Sequence, residues 1–228
     1  MKIVITGATG RIGAGVVNQC LACPEVTSII ALSRREPAVS HPKLEWVKHE
    51  DFTVFEPTVL SRLQGTDVCI YCLGTLGPQN SLDENRRFNL DYALSTARVF
   101  ADYFASNDHS DPFRFIYLSG ALVEKDRNRT LWFLSDTRKM RGELENALVA
   151  LGREKASTGF NIHIVRPGIV LVNSSTLACA AALSLVPAIR RDYLWDAITQ
   201  IAIGGSEKTT IENAELIRIG KTPSHQPR

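Results

Sequence analysis

At 228 residues, 44% apolar and 22% charged, the chain has ordinary globular composition, and its length suits one large α/β domain spanning 1–228 better than two independent ones. A formal net charge of +2 gives no electrostatic case for a nucleic-acid or membrane-surface partner. The longest apolar stretch, around Leu177 to Ile189, is too short to span a bilayer and contains Pro187, and no charged segment followed by an apolar one reads as a secretory signal, so the expected location is cytoplasmic.

Strand-like and helix-like segments alternate along the chain. The first strand is Lys2–Thr6, followed by a helical pattern in which Ile12, Val16 and Cys20 recur every four residues. Ile29–Ser33, Leu44–Lys48 and Val68–Cys72 are the next strands. Leu90, Ala93, Leu94, Ala97, Ala101 and Phe104 then mark one face of a long helix. Phe113–Leu118 is the fifth strand. A second long helix carries Met140, Leu144, Ala147, Leu148 and Leu151, and Asn161–Arg166 is the sixth strand. Leu216–Ile219 is a weaker seventh candidate. The strands are continuously apolar rather than alternating, as strands buried on both faces are, and their alternation with helices implies right-handed crossovers and a parallel sheet.

The stretch from Asn173 to Glu207 departs from this alternation. It holds two short apolar helical patterns, broken by Pro187 and by Gly204-Gly205. It reads either as a small substrate-covering segment or as helices packed on the sheet edge. The five cysteines, Cys20, Cys23, Cys69, Cys72 and Cys179, form two CxxC spacings. Cys69 and Cys72 fall in one strand and point to opposite faces, so they cannot share an ion. All five read as core residues, and no metal is expected.

Gly7-Ala8-Thr9-Gly10-Arg11-Ile12-Gly13 lies directly between a strand and a helix. In that context the first glycine permits the tight turn, the second lets a pyrophosphate approach the backbone, and the third allows close helix–strand packing. The helix amino terminus then offers free N–H groups to the phosphates. This is the phosphate corner of a Rossmann-type, doubly wound α/β fold. An acid about 20 residues on would favour NAD, but the second strand ends Leu32-Ser33-Arg34-Arg35. Two arginines and a hydroxyl suit a 2′-phosphate, with Arg11 as a further charge, so the expected cofactor is NADP. Asp51-Phe52, Leu73-Gly74-Thr75 and Pro167-Gly168-Ile169 follow the third, fourth and sixth strands, where the carboxyl ends of the sheet would meet adenine, ribose and nicotinamide.

These residues together resemble the short-chain dehydrogenase/reductase superfamily, and more narrowly its atypical, NmrA-like and Tat-interacting-protein-like branch. The matching stretches are ITGATGRIG, ALSRRE, the Gly74 turn, YLSGA, RGELENAL, VRPGIVL and TIENAEL, and they cover nearly the whole chain. The resemblance implies a catalytic Tyr followed four residues later by Lys on the helix after the fifth strand. Here those slots hold Thr137 and Arg141, and none of the five tyrosines has Lys at the fourth following position. Arg141 retains the charge and reach to bind a cofactor ribose. Ser119 matches the family's active-site serine, and Asp136 is a replacement acid or base or else the helix N-cap. Trp132 and Phe133 are candidates for an apolar substrate wall, and His163 reads as a core residue. The resemblance also implies homodimers built on the helices after the fourth and fifth strands.

Three readings of function stay open. The first is an NADP-dependent oxidoreductase of a small organic substrate with Ser119, Asp136 or a water in place of tyrosine. The second is a non-redox isomerase, cyclase or dehydratase on the same scaffold. The third is an NADPH-holding regulator or scaffold without catalysis.

Overall fold

The computed structural model describes residues 1–75, 81–105, 112–132, 134–171 and 187–222. Seven strands form one sheet: β1 (Lys2–Thr6), β2 (Ser28–Ser33), β3 (Leu44–Lys48), β4 (Val68–Tyr71), β5 (Phe113–Leu118), β6 (Phe160–Arg166) and β9 (Thr210–Glu212). Their order is β3-β2-β1-β4-β5-β6-β9, and every pairing is parallel. β1 lies between β2 and β4, with Ile3 opposite Ile29 on one side and Val68 on the other. The strand order reverses at β1 and β4, which opens the switch-point crevice above their carboxyl ends. Two further strands, β7 (Ile169–Leu171) and β8 (Ala188–Arg190), pair with each other.

Seven helices flank the strands among the described residues: α1 (Gly13–Ala22), α2 (Pro57–Arg62), α3 (Leu82–Arg86), α4 (Tyr92–Ala105), α5 (Ser135–Glu154), α6 (Arg191–Gly204) and α7 (Asn213–Lys221). A π-helical turn, Arg87–Asp91, joins α3 to α4. The pleat divides the core in two. Val4, Ile30, Cys69, Tyr71, Phe115 and Tyr117 face α4 and α5, whereas Ile3, Ile5, Ile29, Val68, Ile70 and Ile116 face α1, α6 and α7. Burial of each such side chain contributes about 1.5–3 kcal/mol. Cys69 and Cys72 pack into opposite layers, and Cys20 and Cys23 are buried on the α1 side; Cys179 lies outside the described residues. Among the described residues no three His, Cys, Asp or Glu side chains gather as metal ligands, and no helix is long and apolar enough to cross a membrane.

One expectation changes. The seventh strand is Thr210–Glu212, and Leu216–Ile219 lies inside α7. The run Leu-Ile-Arg-Ile fits both periods. The helix wins because it buries Leu216 and brings Gly220 so close to α6 that a methyl there would sit 2.0 Å from the Tyr193 carbonyl. The described part of the Asn173–Glu207 stretch, 187–207, holds β8 and α6. There α6 buries Leu194, Ala197, Ile198 and Ile201 in the same layer as α1, and ends at Gly204-Gly205, where Gly205 takes φ 70°. Residues 172–186 lie outside the described part.

Candidate functional site

The glycine corner is built as its spacing requires. Gly7 takes φ 66°, and a methyl there would stand 2.7 Å from the Cys72 carbonyl carbon at the end of β4. Gly13 begins α1 with no room for a side chain, since its Cβ would lie 2.2 Å from the Gly7 carbonyl oxygen. Gly10 differs: a methyl would meet only that same oxygen, at 3.1 Å, and its outer face is open. The Gly10 N–H donates to Gly7 O at 2.9 Å, and Ile12 is the half-buried residue that precedes α1. Thr9 and Arg11 are exposed beside it. Ala14 N–H donates to Gly10 O and Val16 N–H to Ile12 O, and an open glycine at the positive dipole end of such a helix fits a phosphate.

Beyond this corner a cleft of about 360 Å³ runs between Thr9 and α1 on one side and the loop after β2 on the other. Arg35 lines it, with Asn18 opposite and Glu36 in the same wall. The other residues of this loop divide their work. The Ser33 hydroxyl donates to the Arg35 carbonyl at 2.7 Å, so it is spent on the turn rather than offered to a ligand. Arg34 places its guanidinium 5.8 Å from the centre of the Phe88 ring.

At the end of β3, Asp51 accepts from the Thr53 N–H and hydroxyl and from Arg87, and these bonds hold its carboxyl below the usual range. Phe52 does not face the groove with its side chain; at 1% exposure it is a core ring packed edge-on to His49. After β4, Leu73, Gly74 and Thr75 form a turn fixed from outside. Asn89, in the π-helical turn, accepts from the Thr75 N–H at 2.8 Å and donates to the Thr75 hydroxyl at 2.9 Å. Asn89 escaped sequence reasoning. An amide between Phe88 and Leu90 in a helical run was the available signal, and π-turns recur at functional positions.

The other end of the groove gathers Ser119, Gly120, Arg141 and Pro167. The Ala121 N–H donates to Pro167 O, and Ser119 N–H to Val165 O, which joins the end of β5 to the turn after β6. The need for glycine at 168 arises from the β7–β8 pair, not from a ligand: a methyl there would lie 1.8 Å from Pro187 O. Ile169 begins β7.

On α5, Thr137, Arg141 and Glu145 follow each other at four-residue spacing, so they share one face. Arg141 lies across Gly120, 2.7 Å from where a Cβ would stand. Glu145, with 0% exposure, accepts from the Ser119 hydroxyl at 2.7 Å and pairs with both nitrogens of one edge of Arg166, and Lys125 stands 4.0 Å away. Arg166 also reaches Glu212 at 2.7 Å. Sequence reading missed Glu145, although an acid between Leu144 and Leu148 on a buried face signals a partner. The Tyr117 phenol lies beside Ser119; burial pushes it up to about 12, against the pull of the Arg141 charge.

Asp136 is not an N-cap. Leu134 holds that place with φ 48°, and Asp136 is exposed in the first turn, where it complements the helix dipole. Trp132 is 100% exposed; Phe133 lies outside the described residues. His163 is buried, with a ring nitrogen 3.2 Å from Lys208 O.

Comparison with known proteins places this geometry. No protein-family model matches the chain. It is 28% identical over 173 residues to the mitochondrial protein FMP52 of Candida albicans, covering 75% of this chain and 68% of that one. A second relative, mitochondrial fmp52 of Emericella nidulans, is 29% identical over 74% of this chain and 66% of its own length. The chain thus matches about two thirds of these relatives. Four relatives carry mitochondrial names, which overturns the expected cytoplasmic location; a secretory-signal pattern is silent on mitochondrial targeting. Among solved structures, a short-chain dehydrogenase from Burkholderia cenocepacia in complex with NADP superposes with a TM-score of 0.72 at 18% identity, over 94% of this chain and 89% of that one. A short-chain dehydrogenase from Leptospira borgpetersenii with bound NAD+ gives 0.68 at 15%, over 95% and 92%. The chain therefore has the fold of the short-chain dehydrogenase/reductases, as the resemblance in its sequence implied.

Proposed function

We propose that the chain binds NADP(H) in the Gly7–Gly13 corner and acts as an oxidoreductase on a small organic substrate. The observation that carries this reading is the cleft beside the open Gly10, with Arg35 in its wall where a 2′-phosphate would lie. Gly10, Arg11 and the amino-terminal end of α1 would hold the pyrophosphate, Arg35 with Arg34 the 2′-phosphate, and Arg141 the nicotinamide ribose. The Gly74 turn, set by Asn89, and Pro167 would border the ribose and nicotinamide. When bound, the dinucleotide supplies the hydride chemistry.

The chain's own groups then decide the proton. Beside an ion-paired carboxylate, Ser119 donates to Glu145, so its oxygen turns lone pairs toward the groove. Ser119 is thus set to accept a hydrogen bond from a substrate hydroxyl, and Arg141 over Gly120 to donate one to the same oxygen. Thr137 is half-exposed and Asp136 exposed, one turn earlier on α5. The substitution of Thr137 and Arg141 for Tyr and Lys favours one second reading, an NADP(H)-holding protein without turnover.

Calorimetric titration with NADPH and NADH tests the assignment. The wild type is expected to prefer NADPH, and Arg35→Ala with Arg34→Ala to remove that preference by weakening NADPH about tenfold or more while leaving NADH nearly unchanged. Equal loss for both nucleotides would overturn the 2′-phosphate assignment.

A further inference from the structure

We infer that Arg191, the first residue of α6, is a ligand for the pyrophosphate of a bound dinucleotide; this rests on the dinucleotide reading above. Nothing in the sequence pattern points to it, because it lies far along the chain from the glycine loop.

The argument starts at Gly15. A methyl on Gly15 would stand 1.9 Å from the Trp195 indole, so the ring packs directly against the first turn of α1. Gly15 is two residues past Gly13, roughly 3 Å along the helix axis at 1.5 Å per residue. The ring is held by packing, for its buried N–H has no hydrogen-bond partner among the described residues. Arg191 sits one turn before Trp195 and stacks its guanidinium 5.4 Å from the centre of that ring. The cation is therefore stacked on a ring that packs against the first turn of α1, the helix that the glycine loop opens.

Its neighbours make the charge available. Arg190 is tied to Asp192, as are Arg62 to Glu45, Arg86 to Glu143, Arg87 to Asp51 and Arg218 to Glu215. Among the described residues no carboxylate pairs with Arg191, and none pairs with Arg11 or Arg35. Arg11, Arg35 and Arg191 thus keep their guanidinium groups available, whereas Arg190 and Arg62 are tied to carboxylates. A guanidinium stacked on an aromatic face keeps its planar fork free, and that fork matches two phosphate oxygens. A stacked side chain also has less freedom to lose on binding.

The pyrophosphate is common to NADPH and NADH, so the test differs from that of Arg35. Wild type, Arg191→Ala and Arg191→Lys are titrated calorimetrically with each nucleotide, with thermal unfolding of the unliganded proteins as a fold control. Arg191→Ala is expected to weaken both nucleotides by the same factor, about tenfold, and Arg191→Lys to fall between, having charge without the fork. Unchanged affinity with a lowered melting temperature would assign Arg191 to packing on Trp195 and overturn the inference. Loss for NADPH alone would overturn it too, moving the contact to the 2′-phosphate. If the wild type binds neither nucleotide, the dinucleotide reading fails and this inference with it. If Arg35→Ala behaves as expected and Arg191→Ala does not, only this inference fails.

Discussion

The hydroxyl of Ser119 donates to the buried carboxylate of Glu145 at 2.7 Å, and that carboxylate is held by Arg166. The two residues lie on different elements, β5 and α5, and Arg166 comes from a third, β6. This network fixes the groove's floor, and its members are unequal. Replacing Ser119 by Ala removes one of several hydrogen bonds to Glu145 and is expected to cost about 1 kcal/mol. Glu145→Gln leaves Arg166 half-buried with only the exposed Glu212, and is expected to cost about 3 kcal/mol. Urea unfolding of both variants measures this order. A Glu145→Gln variant no less stable than Ser119→Ala would mean the carboxylate is not the centre of the network.

Asn89 links the turn after β4 to the π-helical turn by two hydrogen bonds to Thr75 and one to Asn85 at 2.6 Å. Asn89→Ala leaves the Thr75 N–H without its acceptor, and is expected to lower stability by about 1–3 kcal/mol and to weaken either nucleotide. Asn89→Asp keeps the acceptor and loses the donors, so it should retain more of the binding. If the two variants bind nucleotide like the wild type, Asn89 does not position the Gly74 turn for a ligand.

The strands were legible because each is a short apolar run between turn residues, and β1, β3 and β5 begin and end where their patterns do. The glycine corner was legible because its three positions answer to local sterics: 7, 10 and 13 face one another within a single turn. Ser33 misled for the opposite reason. Its hydroxyl type suits a phosphate, but only the folded loop reveals that it is satisfied by Arg35 O. Phe52 was likewise read by place in the chain, while the aromatic cluster of His49, Phe55 and Tyr92 draws its ring inward. Glu145 was invisible because its partner Ser119 lies 26 residues away on another element, and Arg191 because only the packing of Trp195 on Gly15 carries its ring partner to α1.

The α1–α6 contact is tight enough to test by size. Gly15→Ala would place a methyl 1.9 Å from the Trp195 ring, and is expected to cost about 1–3 kcal/mol by overpacking. Trp195→Leu alone leaves a void and is also destabilising. Combined, the methyl enters space the indole has vacated, so the double variant should be more stable than the sum of the two losses predicts. Strict additivity in denaturant melts would show that the two residues do not meet.

Two histidines set the response to mild acid. His49 packs between Phe52 and Phe55 with a buried ring nitrogen that has no partner, and His163 lies under Lys208 O. Burial lowers both below the ordinary value of 6.5, with Asp51 opposing at His49 and the Lys208 carbonyl opposing at His163. The unfolded chain therefore takes up protons near pH 6.5 while the folded one does not. Their contribution to stability is fully present above pH 6.5 and is lost as pH falls from there through their lower folded values. Carboxylates such as Asp51 and Glu143, whose folded values are depressed from 3.8 and 4.5, act only in stronger acid. Unfolding free energy measured by urea at a series of pH values should therefore begin to fall near pH 6.5, above the carboxylate range. His163→Asn keeps a donor for Lys208 O but cannot titrate, so it should flatten part of that slope. A variant with the wild-type slope would assign the whole effect to His49.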